Sequence, residues 1–363
     1  VARDGLGSVN MAISEEQAKE IEALCRAMSV TRMVDYGMTR DKAQLAHQRV
    51  REGRPWDLVL EEMAHEEERL AEVADDAALA RESWHAAAVS LIFAQMAFNA
   101  DGDRKRELYR RMTQCFARFA ALSNYPATKV EVPYRQGTLF GWHFQPVEER
   151  TRASVIVLGG MSGWSTAYRS MAEALCARGI ACFLVDGPGQ GESRLEGGIL
   201  ADEDVASGLS RFVDLALMRS PGQRIGLWGN SYGGLLAALT AIRDTRVRAC
   251  CINGAPARTE VPPFRTAQEQ LAAMFGCHDP DLLAERVSAL VFDGRVSIAC
   301  ATLVLEGGAD ALVKPGSQSA FLEGNTDPRS RLKSWPDGEH TLYNHRDERN
   351  TLAADWFSAV LRL

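Results

Sequence analysis

Apolar residues change their spacing near residue 125. Before that point they recur at helical intervals. Leu58, Met63, Leu70 and Val73 are spaced this way among Glu and Arg over 56–75, and Leu108, Met112, Phe116 and Phe119 line one face of 104–122. An Ala-rich, more apolar helix is predicted over 79–99, broken by Asp101-Gly102-Asp103. Ser14, ahead of Glu15 and Glu16, is placed to cap one helix, and Thr39 begins another. Pro55 sits where a first helical residue would. Strand patterns are hard to find in residues 1–124.

Beyond the stretch Asn124-Tyr125-Pro126-Ala127-Thr128, short apolar runs alternate with helical patterns. Strands are predicted at 129–135 and 138–145, as a hairpin around Gln136-Gly137. More follow at 153–158, 180–185, 224–228, 247–253, 301–306 and 331–335. Helices are predicted at 165–178, 202–219, 235–243 and 347–361. Such alternation implies an α/β fold, a mostly parallel central sheet with helices on both faces. The expected division is a helical lid over 1–124 and a catalytic domain over 125–363. An Arg/Glu-rich helical insertion interrupts the alternation at 262–293, and insertions after a strand's C-terminal end sit over the site in such sheets. A helical protein-binding module is the other use of 1–124. No clear repeat period supports a solenoid, so the lid is favoured.

The chain of 363 residues is long for one domain, which fits that division. A net charge of -7 argues against nucleic acid or an anionic membrane as partner. No apolar stretch approaches the ~20 residues of a membrane span. The N-terminus is polar and lacks a basic-then-apolar export signal. Cys25, Cys115, Cys176, Cys182, Cys250, Cys251, Cys277 and Cys300 are scattered without Cys-x-x-Cys spacing. Buried free thiols in a cytoplasmic protein are expected. The histidines are equally dispersed, so no metal site is predicted.

The chemistry gathers at Gly229-Asn230-Ser231-Tyr232-Gly233. An apolar run ends there and a small-residue helix follows, so Ser231 stands at a sharp strand-to-helix turn. Glycines on either side let strand and helix approach. A serine hydroxyl needs a base, and a serine, acid, histidine order is expected in this architecture. His340, after the last short strand, is the expected base, with His345 the near alternative; His278 lies in the insertion. Asp310, in a Gly-rich turn just past a strand, is the expected acid, with Glu306 as runner-up. Two backbone N–H groups should face the developing oxyanion, those of Tyr232 and Met161, the latter in Gly159-Gly160-Met161. Asp186-Gly187-Pro188-Gly189-Gln190-Gly191-Glu192 lacks the lysine and spacing of a phosphate-binding loop. It reads as a structural turn beneath the site, with Glu192 a buried structural carboxylate. Trp84, Trp164 and Phe264 are candidate pocket residues.

Together these residues resemble the α/β-hydrolase superfamily over 126–363. The pairing of Gly159-Gly160-Met161 with the 186–192 motif is similar to the FrsA-like group, which includes a dihydroxy-pseudooxynicotine hydrolase that breaks a carbon–carbon bond. Polyketide-shortening hydrolases of the Ayg type are also similar. The resemblance implies a helical segment covering the site, a Ser231–His340–Asp310 triad, and no metal or cofactor. It implies hydrolysis of a carbon–carbon bond beside a ketone, in a β-diketone or acyl-phenol of aromatic or polyketide-like character. A small-molecule carbonyl substrate is the expected partner, and a homodimer is left open. Carboxylesterase or thioesterase activity uses the same parts. So does a cyclase or acyl-transferase that excludes water, and a regulatory binding module would not need all three residues.

Overall fold

The computed structural model describes residues 14–148, 152–161 and 163–362; the first thirteen residues, on which the expectation about export rests, lie outside them. Helices come first: α1 (Glu15–Ala27), α2 (Val30–Asp35), α3 (Arg40–Arg51), α4 (Trp56–Val73), α5 (Ala77–Gln95) and α6 (Asp103–Ala121). Ser14 caps α1 in a reciprocal box with Gln17, and Thr39 caps α3. The face of α4 differs from the expected one. Val59, Leu60 and Met63 turn inward, while Leu58, Leu70 and Val73 face solvent. Packing against the Ala-rich α5, which is buried along most of its length, chooses the face.

The remaining strands are β1 (Ala127–Tyr134), β2 (Gly137–Phe144), β3 (Ala153–Leu158), β4 (Ala181–Asp186), β5 (Arg224–Asn230), β6 (Val247–Asn253), β7 (Ala301–Gly307) and β8 (Arg331–Trp335). They form one sheet in the order β1-β2-β4-β3-β5-β6-β7-β8. β1 and β2 pair antiparallel at one edge, and β2 joins β4 antiparallel; the pairs from β4 to β8 are parallel. The first hairpin turns at Arg135 and Gln136, one residue earlier than expected. Gly137 already belongs to β2, where a Cβ would stand 2.1 Å from the Gly197 carbonyl.

Around the sheet lie α7 (Arg169–Cys176), α8 (Gly191–Leu195), α9 (Val205–Arg219), α10 (Tyr232–Arg243), α11 (Arg265–Phe275), α12 (Pro280–Ala289) and α13 (Arg346–Val360). Side chains alternate across the sheet, so two cores form. Val155 and Val157 face a core shared with α7, α13 and the N-terminal helices; Ile156 and Leu158 face one shared with α9 and α10. Each fully buried side chain of this kind contributes about 1.5–3 kcal/mol. The cysteines are unpaired thiols, all buried except the partly exposed Cys300. Among the described residues no helix is long and apolar enough to cross a membrane.

Candidate active site

Because β3, β5, β6, β7 and β8 are parallel, the loops leaving their C-terminal ends meet along one edge of the sheet. Ser231 follows β5 there with φ 54° and ψ -129°. Such a conformation costs a non-glycine residue about 1–3 kcal/mol and persists only where its surroundings enforce it. Its N–H donates to the Asn253 carbonyl at 2.7 Å, and its carbonyl accepts from Gly234 N–H at 2.8 Å. A Cβ on Gly229 would lie 2.1 Å from the Gly233 carbonyl, and one on Gly233 would lie 2.1 Å from the Gly159 carbonyl. The flanking glycines therefore permit the turn itself.

His340 Nε2 stands 2.8 Å from Ser231 Oγ, and His340 Nδ1 stands 2.8 Å from Asp310 Oδ2. The carboxylate accepts at Nδ1, which places the ring proton there and leaves Nε2 to accept from the serine hydroxyl. Asp310 Oδ1 accepts from Leu312 and Val313 N–H at 2.8 and 2.9 Å. Burial pushes the Asp310 carboxyl up, but His340 and these N–H groups outweigh it and hold it below its ordinary value. The alternatives lie elsewhere. His345 Nε2 meets the exposed Asp337 at 2.9 Å, Glu306 accepts from Gly316 N–H at 2.7 Å, and His278 is exposed between α11 and α12.

Gly160 lies beside the serine, where an added Cβ would be 3.1 Å from Ser231 Cβ; Met161 follows it and is partly exposed. Tyr232 opens α10, so its N–H has no acceptor within the helix. The Gly159–Gly160 stretch is held from below. Gln190 Nε2 donates to both carbonyls, at 2.8 and 2.7 Å, and its Oε1 accepts from Gly187 N–H at 3.0 Å. Asp186 anchors the same turn, accepting from Ser165 N–H at 2.8 Å, Glu192 N–H at 2.9 Å and the Tyr109 hydroxyl of α6 at 3.0 Å. Glu192 accepts from Lys129 at 2.5 Å and is buried. The 186–192 motif is thus a clamp on the loop and on the helical segment.

Of the expected pocket residues, Trp164 is buried between Tyr109 and Lys105. Trp84 is buried among the helices with Arg118 over its ring, and Phe264 is about half exposed at the start of α11. The structure does not gather these three. It gathers tyrosines that sequence patterns did not single out. The Tyr343 ring lies 6.2 Å from that of His340, Tyr36 lies 6.3 Å from Tyr343, and Tyr168 lies 6.0 Å from Tyr36. Tyr168 Oη then reaches Gly159, 2.9 Å from where a Cβ there would be. The contacts close a ring from His340 back to Ser231, and Tyr36 comes from just past α2. Two more contacts seat α2 here: Arg349 pairs with Asp35 at 2.7 Å, and Arg346 donates to the Val34 carbonyl at 2.9 Å.

The profile of the family described as serine aminopeptidase, S33, matches residues 149–293. The 2,6-dihydropseudooxynicotine hydrolase of Paenarthrobacter nicotinovorans is 25% identical over 265 residues, 71% of each chain. The crystal structure of 2,6-dihydroxy-pseudo-oxynicotine hydrolase superposes with a TM-score of 0.81 at 24% identity, covering 92% of this chain and 96% of that one. This chain has the α/β-hydrolase fold. A second structure, AbyA5, matches with a TM-score of 0.66 at 20% identity, over 84% of this chain and 88% of the other. The first superposition extends well into the helical segment, since residues 125–363 are only about two thirds of the chain. The family profile spans Ser231 and ends before Asp310 and His340.

Proposed function

We propose that this α/β-hydrolase uses Ser231 as nucleophile, His340 as general base and Asp310 to orient the base, and that it cleaves a carbon–carbon bond beside a ketone. The observation that carries the proposal is the unbroken hydrogen-bonded line from Asp310 through His340 to Ser231 Oγ. The resemblance and the 25% identical pseudooxynicotine hydrolase support the bond type. The substrate is an aromatic or polyketide-like β-diketone or acyl-phenol. Met161 and Tyr232 N–H groups stabilise the oxyanion.

Ser231 Oγ attacks the carbonyl as its proton passes to His340 Nε2. The carbon–carbon bond breaks and its electron pair stays with the leaving carbon, delocalised onto the oxygen of the carbonyl conjugated with it; an acyl-phenol reacts in this way from its keto tautomer, in which the leaving carbon is sp3. His340 returns the proton to that carbon. Water, deprotonated by His340, then hydrolyses the acyl-serine and releases a carboxylic acid. Residues 1–124 act as the lid, supported by the seating of α2 against the turn that carries His340.

Benzoylacetone and p-nitrophenyl butyrate separate this function from an esterase. Cleavage of benzoylacetone to an acid and a ketone, lost in Ser231→Ala, is expected. Rapid ester turnover without diketone cleavage would leave a carboxylesterase instead.

A further inference from the structure

An arginine without an acidic partner stands over the tyrosine ring. Arg32 of α2 donates to Tyr36 Oη from Nε at 3.3 Å and from Nη2 at 3.2 Å, and to the Ala27 carbonyl from Nη1 at 3.0 Å. Its guanidinium carbon lies 5.4 Å from the centre of the Tyr36 ring and 5.8 Å from that of Tyr343. Among the described residues no carboxylate pairs with it. Asp35, one turn along, is already bound to Arg349. A guanidinium remains charged and carries five N–H donors, more than these contacts use. Arg32, Tyr343, His340 and Ser231 are all partly exposed, and the Tyr343 ring neighbours both the cation and the His340 ring. A permanent cation that faces aromatic rings and, among the described residues, is in direct contact with no carboxylate retains donors for an anionic ligand.

We infer that Arg32 binds the oxygen that becomes negative on the departing carbon fragment, the enolate of a β-diketone or the phenolate of an acyl-phenol. This rests on the proposed carbon–carbon cleavage and names the residue that selects for it. When that bond breaks, the electron pair moves through the leaving carbon onto the second carbonyl oxygen. An Arg32 N–H donates to that oxygen until His340 delivers a proton to the carbon. A simple ester has no such oxygen, so Arg32 discriminates between the two classes. The chain that selects the substrate is then the helical segment, and the chain that attacks it is the sheet.

Binding is read by titration calorimetry on Ser231→Ala protein, with benzoylacetone and with its analogue dimethylated at the central carbon, which cannot form the enol conjugated between its two carbonyls. Benzoylacetone should bind at least about tenfold more tightly. Adding Arg32→Gln should remove that preference, and Arg32→Lys should restore part of it. Melting temperatures report whether each variant is folded. Equal weakening toward both compounds, or no initial preference, overturns the inference. If Ser231→Ala alone retains full diketone cleavage, the proposed function fails, whatever the calorimetry shows. If it abolishes cleavage while Arg32→Gln leaves the binding preference intact, only the Arg32 assignment fails.

Discussion

Asp35 and Arg349 form an ion pair of 2.7 Å in which both side chains are almost wholly enclosed, joining α2 to α13. The same guanidinium donates to the carbonyl of Thr341 at 2.9 Å. Thr341 follows His340 and, with Leu342, has positive φ, at 50° and 62°. Asn253 donates to the same carbonyl at 3.0 Å. The N-terminal helices therefore reach the turn that carries His340 through a buried charge. Asp35→Ala strands that charge, and losing one partner of a buried pair costs about 3–5 kcal/mol. A lower melting temperature is expected, together with a fall in kcat larger than any rise in KM. A stable variant with unchanged kcat would show that the pair does not position His340.

Ser231→Ala and Asp310→Asn test the core chemistry. Each should lower kcat about a thousandfold or more, because the three groups act as a unit and the amide favours the wrong imidazole tautomer. Labelling by a fluorophosphonate, followed by mass spectrometry, should modify the parent protein at Ser231 and leave Ser231→Ala unlabelled. Modification of another residue at the same rate would move the nucleophile elsewhere.

Gln190 spends its amide on three backbone groups of the loops beneath the site. Gln190→Ala leaves the buried Gly159 carbonyl without this donor, at about 1–3 kcal/mol, while the Gly160 carbonyl keeps Gly163 N–H at 3.0 Å. It also frees the loop that carries Met161, so kcat should fall about tenfold to a hundredfold. Gln190→Glu should be worse than alanine, since it sets an acceptor against two carbonyls. Kinetics on the pair decide the point; equal activity to the parent would mean the clamp is idle.

Two histidines set a pH window for stability. Burial, with the Arg169 charge behind it, holds His85 down to about 3; burial, with Arg219 behind it, holds His143 down to about 4. The unfolded chain takes up these protons near the ordinary value of 6.5, before the folded chain does. Stability is thus complete above that value and falls as pH drops toward 4, by about 1.4 kcal/mol per pH unit for each residue. Glu82, held at about 2 mainly by its hydrogen bond from Arg169, contributes above its ordinary 4.5 and is lost only below it. Urea midpoints should therefore fall between pH 7 and pH 4.5, with His85 and His143 the main contributors, and His85→Leu should flatten the slope. A level profile across that range would contradict the assignment.

The sheet and the residues at its edge were legible because their signals are local. Strands at 153–158, 247–253 and 331–335 lie where the apolar runs put them. Ser231, Asp310 and His340 follow from the loops they occupy and from chain order. The helix α2 left no such trace: six residues make less than two turns, too few for a periodic face, and only the cap at Ser29 marks its start. The tyrosine ring was illegible for a different reason. Tyr36, Tyr168 and Tyr343 come from three distant segments, and nothing in their neighbours announces that they meet. Leu58, Leu70 and Val73 show the converse, a regular spacing that packing against α5 did not use.

Asp186 accepts hydrogen bonds from the strand-to-helix loop, from the glycine turn and from Tyr109 of the helical segment. One carboxylate cannot be satisfied in instalments: until all three donors arrive, a buried charge stands partly bare. Docking of the helices and closure of the loop beneath the serine are for that reason expected to be coupled. The helical segment is not an accessory that could be exchanged at will, and unfolding of the two parts should merge into one heat-absorption peak.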